Sequence, residues 1–403
     1  RKMKTGNSSN LVPPAIVLIV LIVIGMLIKG SGNSTSIVIG KEPLSGLPLS
    51  KIGSIVITKN SDQTPSTLTL TRADKQWVVE NKNGYPADAD RIEKFIREFK
   101  DMKVLRELTA GKSQLGRIGL LDPDNASINS ATRVSLLEAD GKSLIHTLHL
   151  GKELSAPGSE NQNSQQGFGG FSDRRFIMID SKRSEIAVVD QTFSNASPEP
   201  SDWLNKDFIK VDKPNSIEVI YPGSEATNSW KITKSSDVAE WKLDGTVTDG
   251  KVFDAASAPT SPLSSPSFND LATDTEKAQL DKNATQIKIS TFDGLNYHVK
   301  VGQTPSGSDR VIQVETTGSL PEKRTPGENE KAEDKVNLDK EWAEKQKELK
   351  EKLRKDSAFN VYAYRVSSYT VESILKKRTE LLKDKEKEET ESPADPPVPF
   401  IKP

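Results

Sequence analysis

The chain contains no cysteine and only three histidines: His146, His149 and His298. The absence of cysteine excludes disulfide bonds and thiolate chemistry, so each domain must be held together by its buried core. In a domain outside the cytoplasm, the absence of cysteine fits bacteria better than a secreted eukaryotic protein, in which disulfides are common. The formal net charge of −1 argues against a nucleic-acid partner, because such partners normally need a basic protein face.

The common catalytic motifs are also missing. The sequence has no nucleophile elbow, phosphate loop, dinucleotide fingerprint or His-Glu-x-x-His. His146 and His149 stand three positions apart on a predicted strand, so their side chains point to opposite faces and cannot bind one metal ion. We therefore predict that the chain is not an enzyme, with no catalytic residue, no metal site and no cofactor.

A long hydrophobic run is present, by contrast, over residues 11–28 (LVPPAIVLIVLIVIGMLI), and it holds no charged residue. As a helix it would be about 27 Å long, close to the thickness of the hydrocarbon core. The run predicts one membrane-spanning anchor. A cleaved signal peptide is the alternative, but the run is long for a signal and no Ala-x-Ala site follows it.

The charges beside this run predict its orientation. Arg1, Lys2 and Lys4 precede it with no acidic residue among them. By the positive-inside rule, residues 1–29 form a cytoplasmic stub and anchor in the bacterial inner membrane. The bulk of the chain is then expected in the periplasm.

After a predicted flexible spacer over residues 30–50, the same order of sequence features occurs twice. Each copy has an alternating strand, a tryptophan and then a hairpin around Asp-Gly, a pair that supplies the positive φ angles of tight turns. We predict two similar α+β units with mostly antiparallel sheets and packed helices, over residues 51–201 and 202–385. The repeat markers are Trp77, Asp140 and Gly141 in the first unit and Trp241, Asp293 and Gly294 in the second.

These markers allow functional interpretations that we consider weaker. Asp140 and Asp293 each precede a turn glycine, so a turn-forming role is favoured over an acid pair of a hydrolase site. Trp77 and Trp241 lie in alternating stretches, so core packing is favoured over a platform for sugar binding.

Two helices with inward-facing stripes are predicted. Asp88 caps the first, and Thr370 caps the second. The stripe of the first is Ile92, Phe95, Ile96, Phe99 and Met102, and that of the second is Val371, Ile374, Leu375, Leu381 and Leu382. The strand before the second helix, 360–366, is expected to correspond to 174–179 in the first unit.

Other stretches depart from this pattern. Residues 328–356 predict a long charged helix, solvated at the surface rather than part of a coiled coil. The Gly/Asn/Gln-rich stretch 155–171 and the Pro/Ser-rich stretch 255–267 predict irregular structure, and 386–403 predicts a Pro-rich disordered tail.

The motifs resemble a known family. A Tyr-Pro-Ala-Asp helix start (85–88), a Trp-Leu-Asn-Lys-Asp-Phe junction (203–208) and the paired hairpins are similar to the bacterial family known as domain of unknown function 4340, over roughly residues 50 to 385. The resemblance implies a membrane-tethered envelope protein, often encoded beside ABC-type export systems related to gliding-motility transporters. No catalytic residue is defined for that family.

We accordingly expect a non-enzymatic accessory or scaffold protein whose partner is an ABC-type permease. One alternative is a module that binds an envelope glycan or polymer, with Phe168 and Phe171 in the 155–171 loop as its contact residues. Another is a hydrolase whose site is not visible in the sequence.

Overall fold

The computed structural model describes residues 37–61, 64–74, 76–125, 128–155, 172–247, 250–302, 309–326, 330–331 and 334–385. The predicted anchor, Phe168 and Phe171, and the predicted tail 386–403 lie outside the described residues. Within the described residues, no helix is both long enough and apolar enough to cross a membrane. The chain forms two compact units that divide between Lys206 and Asp207.

The first unit is built on one antiparallel sheet. Its strands are β1 (Ile52–Ser61), β2 (Thr64–Ala73), β3 (Gln76–Val79), β4 (Tyr85–Pro86), β5 (Val104–Leu108), β6 (Thr132–Glu138), β7 (Leu144–Ser155), β8 (Ser172–Ile179) and β9 (Ile186–Val189), and its helix α1 is Ala89–Asp101. The sheet order is β4-β3-β2-β1-β6-β7-β8-β9-β5. All of its neighbouring strands pair in antiparallel fashion.

Helix α1 begins where the sequence predicts. The Asp88 side chain accepts a hydrogen bond from the Arg91 backbone N–H at 3.0 Å, which satisfies one of the free amides of the first turn. The stripe Ile92, Phe95, Ile96 and Phe99 is buried. Rings beyond the helix complete this core, because Trp203 contacts Phe95 edge-on and Phe193 stacks on Phe99.

The two faces of the first sheet differ in chemistry. One face carries alternating buried aliphatic residues, such as Ile55 and Ile57 of β1. On the other face Thr58, Arg133 and His149 lie side by side on β1, β6 and β7, and all three are buried. The second face therefore holds polar groups that need partners.

The second unit has its own antiparallel sheet. Its strands are β10 (Pro214–Ile220), β11 (Trp230–Thr233), β12 (Lys242–Leu243), β13 (Lys251–Phe253), β14 (Asp270–Leu271), β15 (Thr285–Thr291), β16 (Leu295–Val301), β17 (Asp309–Gly318), β18 (Ala363–Ser367) and β19 (Leu382–Asp384). Its helices are α2 (Asp274–Asn283), α3 (Lys335–Ser357) and α4 (Tyr369–Glu372). The order is β12-β11-β10-β15-β16-β17-β18-β14, and β13 pairs with β19.

The two sheets share a strand order. From β3 the first sheet continues β2-β1-β6-β7-β8-β9-β5, and from β12 the second continues β11-β10-β15-β16-β17-β18-β14, which is the same series advanced by nine. Strand β18 therefore has the sheet position of β9. The expected correspondence of 360–366 with 174–179 is wrong, because β17 has the sheet position of β8. The prediction of an α+β fold with antiparallel sheets is confirmed.

The predicted flexible spacer needs a correction over residues 37–50. Leu44 and Leu47 are buried in this stretch. The Gly40 N–H donates to the Val104 carbonyl at 2.8 Å, and the Val104 N–H donates to Lys41 at 3.0 Å. The segment is attached to the edge strand β5 because its leucines gain burial and its backbone groups gain partners.

The predicted helix after Thr370 is wrong beyond its first turn. Helix α4 ends at Glu372, and the carbonyl of Lys376 accepts a hydrogen bond from the Trp230 indole at 2.6 Å. The carbonyl of Leu375 accepts one from the Tyr221 hydroxyl. Both carbonyls are thereby held by side chains rather than by helical N–H groups. The stretch predicted as a long charged helix does form a helix, and within the described residues this helix begins at Lys335.

Candidate functional site

The second face of the first sheet carries a group that we call the buried ionic cluster: Arg133, Asp122, Asp124 and His149. Arg133 Nη1 lies 3.1 Å from Asp122 Oδ1 and 2.6 Å from Asp124 Oδ2, with 3% of the Arg133 side chain exposed. His149 Nε2 lies 3.3 Å from Asp122 Oδ2. One arginine thus balances two carboxylates, and a histidine completes the hydrogen bonding of Asp122.

The loop that carries both carboxylates is fixed by local chemistry. Asp122 Oδ1 accepts the Asp124 N–H at 2.9 Å, an Asx turn that Pro123 favours. Asn60 Nδ2 on β1 donates to the Pro123 carbonyl at 2.8 Å. The loop therefore holds its acids over β6 and β7.

The cluster changes the acidity of Asp122. Burial by itself raises the pKa of this carboxyl. The hydrogen bond from His149, the positive charge of Arg133 and the backbone N–H of Asp124 act in the opposite direction and prevail. Together they hold the pKa of Asp122 well below its usual range. Asp122 is consequently an anion at neutral pH and a poor general acid.

The other histidine of β7 has a separate partner. His146 Nδ1 lies 3.2 Å from both carboxylate oxygens of Asp180, and the Thr147 N–H donates to Asp180 Oδ1 at 3.1 Å. His146 and His149 thus contact different carboxylates. Among the described residues, no group of three or more His, Asp or Glu side chains is arranged to hold a metal ion.

Asp140 and Gly141 close the β6–β7 hairpin. Asp140 accepts the backbone N–H groups of Lys142 and Ser143, each at 2.8 Å, and Gly141 has a φ of +65°. A hydrogen bond from the Ser143 hydroxyl, with these two backbone N–H groups, lowers the pKa of Asp140 to about 2. The Asp140 side chain therefore stabilises the turn.

Asp293 and Gly294 lie in the β15–β16 hairpin, with an added contact. Gly294 has a φ of +81°, and a Cβ there would stand 2.6 Å from the Ser319 carbonyl oxygen. The Asp293 carboxylate pairs with Lys345 of α3 at 2.7 Å. This aspartate therefore ties the hairpin to the charged helix.

The core-packing interpretation of Trp77 and Trp241 needs a correction, because both rings are only partly buried. Trp77 stands at the margin of its sheet, opposite the exposed Arg72 on β2. Trp241 precedes β12, and the Lys234 ammonium lies 5.4 Å from its ring centroid. The fully buried indole of the first unit is Trp203, whose Nε1 donates to the Ser197 carbonyl at 2.9 Å.

A cleft of about 640 Å³ opens at one end of the second sheet. It lies where β10 and β16 end and where β15 and β17 begin, beside α2. Glu276 of α2 is engaged there, since it accepts from Arg365 at 2.8 Å and caps the helix with Thr273. Arg310 of β17 also lines the cleft, and among the described residues its guanidinium has no ion-pair or hydrogen-bond partner.

The rest of the cleft lining mixes apolar residues with polar ones, and it includes the charged Glu225 and Lys377. Gln279 and Asn283 of α2 present carboxamides to it. Tyr221 donates its hydroxyl proton to the Leu375 carbonyl, and burial raises the pKa of Tyr221 to about 12. With an unpaired guanidinium and two carboxamides, the cleft offers hydrogen bonds to a polar or anionic ligand.

Comparison with known proteins places part of the chain in a family. Residues 77–160 match the model of a family described as domain of unknown function (DUF4340). This segment belongs to the DUF4340 family. The DUF4340 segment contains the whole buried ionic cluster and the Asp140–Gly141 turn. No curated protein and no solved structure matches the chain.

Sequence reasoning missed two features. Within the DUF4340 segment it overlooked Asp122, Asp124 and Arg133, although an Asp-Pro-Asp turn before a strand that bears arginine was a local signal. It also missed the cleft. The lining of that cleft comes from separate parts of the chain, and no local motif marks it.

Proposed function

We propose that this chain is a non-enzymatic, membrane-tethered accessory protein of the bacterial envelope that supports an ABC-type export assembly. The non-enzymatic part of this proposal is supported by the contacts of the ionisable side chains in the DUF4340 segment. Arg133 and His149 Nε2 both contact the Asp122 carboxylate, and the Asp140 carboxylate accepts hydrogen bonds within a turn. Groups held this way contribute to stability, whereas a general acid or base must be free to meet a substrate.

The tether is supported by the sequence. Residues 11–28 are long and apolar enough for one span, and basic residues precede them. The first described residues, 37–41, join the edge strand β5 of the first unit. In this proposal a short connection links the span to a folded periplasmic body.

The transport partner is supported by the family resemblance. The test is purification of the full chain from its own membranes in mild detergent, followed by identification of the proteins that accompany it. Enrichment of a multi-span permease and its ATPase, relative to an unrelated single-span protein of equal abundance, is the expected result. Repeated recovery of the chain without a permease would contradict the proposal.

We further propose that the two units are copies of one ancestral unit. Their shared strand order supports this, as do two glycines near the ends of the paired hairpins, Gly151 within β7 and Gly302 directly after β16. A Cβ at Gly151 would meet the Ile118 carbonyl at 2.5 Å, and one at Gly302 would meet the Leu280 side chain at 2.8 Å. Ile118 and Leu280, the residues that lie close to these two glycines, each precede their hairpin in the sequence.

A second candidate function is binding of an envelope glycan or polymer, which the unpaired Arg310 in the cleft favours. The test is retention of the full chain on immobilised acidic envelope polysaccharide. Arg310→Gln should abolish retention and leave the melting temperature unchanged, while Arg174→Gln, outside the cleft, should do neither. Deletion of residues 160–171 tests the predicted contact loop in the same assay.

A further inference from the structure

A second concave surface lies along helix α3, and we call it the α3 groove. It has a volume of about 650 Å³. Pro321, Trp342 and Ala343 give it an apolar lining. Its charged residues are Lys347, Lys350 and Glu322, together with Arg354 and Glu351, which pair with each other. The aliphatic stems of these lysines extend the apolar surface and leave the ammonium groups toward water.

One polar group in the groove lacks a partner. Gln346 is only 8% exposed, and its buried Oε1 accepts no hydrogen bond from the described residues. A buried carboxamide end without a partner is costly. A segment docked in the groove would satisfy it by donating a backbone N–H.

The cations of the groove are also available. Lys345, Lys352 and Lys355 of α3 each lie within 4 Å of a carboxylate. Lys347 and Lys350, which stand three positions apart on the groove side, have no such partner among the described residues. The occupant should therefore combine acidic groups with an apolar stretch.

We propose that the α3 groove binds residues 386–403 of the same chain. Their sequence places Glu386, Glu388, Glu389, Glu391 and Asp395 before the apolar stretch Pro-Pro-Val-Pro-Phe-Ile. The carboxylates complement Lys347 and Lys350, and a proline-rich stretch packs on aromatic side chains such as Trp342.

The length of the segment can be compared with the length of helix α3. The described chain ends at Lys385, and eighteen residues follow it in the sequence. A fully extended polyproline chain of that length would span about 55 Å. Helix α3, with its 23 residues, is about 35 Å long. The segment follows β19 within the second unit, so an intramolecular contact carries little loop-closure cost.

Carbodiimide cross-linking of the full chain tests the proposal, because this reagent joins a lysine amine directly to a carboxylate. Products between residues 386–395 and Lys347 or Lys350 should dominate over products with Lys335 and Lys340, exposed lysines of the same helix outside the groove. Trp342→Ala should lower the yield at Lys347 and Lys350 by about tenfold, since an aromatic anchor commonly contributes 1.4 kcal/mol or more. Tyr369→Ala, which removes an exposed ring elsewhere, should leave the yield unchanged.

Two further measurements make the outcome decisive. Phe400→Ser changes only the docked segment, so it should lower the yield even if Trp342→Ala impairs folding. Mixing chains labelled with ¹⁵N and unlabelled chains separates contacts within one chain from contacts between copies. Equal yields at all four lysines, or products that join labelled to unlabelled chains, would overturn the proposal.

Discussion

Arg133 Nη1 lies 3.1 Å from Asp122 Oδ1, and the two side chains differ in exposure: 3% for the arginine and 32% for the aspartate. The guanidinium therefore depends on protein groups for its solvation, whereas the carboxylate keeps some contact with water. Loss of the arginine leaves the Asp122 and Asp124 carboxylates without their shared cation. Loss of the aspartate still leaves Arg133 with Asp124.

Arg133→Met should destabilise the first unit by about 2–3 kcal/mol, less than the ~3–5 kcal/mol of a fully buried pair because the carboxylates are partly solvated. The measurement is urea unfolding of the full chain. Arg97→Met is the control, since Arg97 pairs with Glu93 on the surface of α1 with 63% and 62% of the side chains exposed. The control should leave the urea midpoint close to that of the natural chain, because an exposed pair contributes little. Equal losses would contradict the role assigned to burial.

The stability of the first unit should fall as the pH drops below about 4, where Asp122 gains its proton in the unfolded chain. The folded state holds the pKa of Asp122 below that of the unfolded chain. Its contribution is therefore complete above the unfolded pKa and is lost as the pH falls through the folded one. Urea midpoints measured from pH 7 to pH 3 should fall more steeply for the natural chain than for Asp122→Asn. Parallel curves would show that Asp122 does not contribute.

Gly151→Ala should cost more stability than Gly302→Ala. The new Cβ at position 151 would meet a backbone oxygen, that of Ile118 at 2.5 Å, whereas at 302 it would meet a methyl group of Leu280 at 2.8 Å. A side chain can rotate away and a backbone cannot, so we expect about 1–3 kcal/mol for Gly151→Ala and less for Gly302→Ala. Gly46→Ala, with nothing within 4 Å, is the control. The reverse order in thermal melts would contradict this account.

Local signals made part of this fold predictable. Asp140–Gly141 and Asp293–Gly294 predicted hairpins correctly because a positive φ is a demand of the turn itself. Helix α1 was predictable for a similar reason, since its cap and its stripe lie within fifteen consecutive residues, 88–102.

Long-range contacts made the rest unpredictable. The helix predicted after Thr370 ends at Glu372 because the following residues have other partners. The carbonyl of Lys376 accepts a hydrogen bond from the indole of Trp230, which lies 146 residues away in the sequence. His149 comes close to Asp122 because of the register between β6 and β7. The composition of neither strand specifies that register. The alternation of apolar and polar residues around Trp77 also gave no sign that this residue lies at the margin of the sheet.

Trp203→Ala should destabilise the first unit far more than Trp77→Ala. The Trp203 ring is fully buried, contacts Phe95 with centroids 5.2 Å apart and donates to Ser197. Its loss should cost about 3–5 kcal/mol, whereas the partly exposed Trp77 should cost about 1–2 kcal/mol. Chemical denaturation monitored by circular dichroism measures both. A larger loss for Trp77→Ala would restore the core role first predicted for that residue.

The chain without cysteine permits a direct test of its proposed orientation. Single cysteines introduced as Lys4→Cys and Tyr369→Cys would be the only thiols, and Tyr369 is 82% exposed, so its replacement leaves the fold intact. In intact spheroplasts a membrane-impermeant maleimide should label Tyr369→Cys and spare Lys4→Cys. After permeabilisation both should react. Labelling of Lys4→Cys in intact spheroplasts, or protection of Tyr369→Cys, would invert the topology and remove the periplasmic basis of the proposed function.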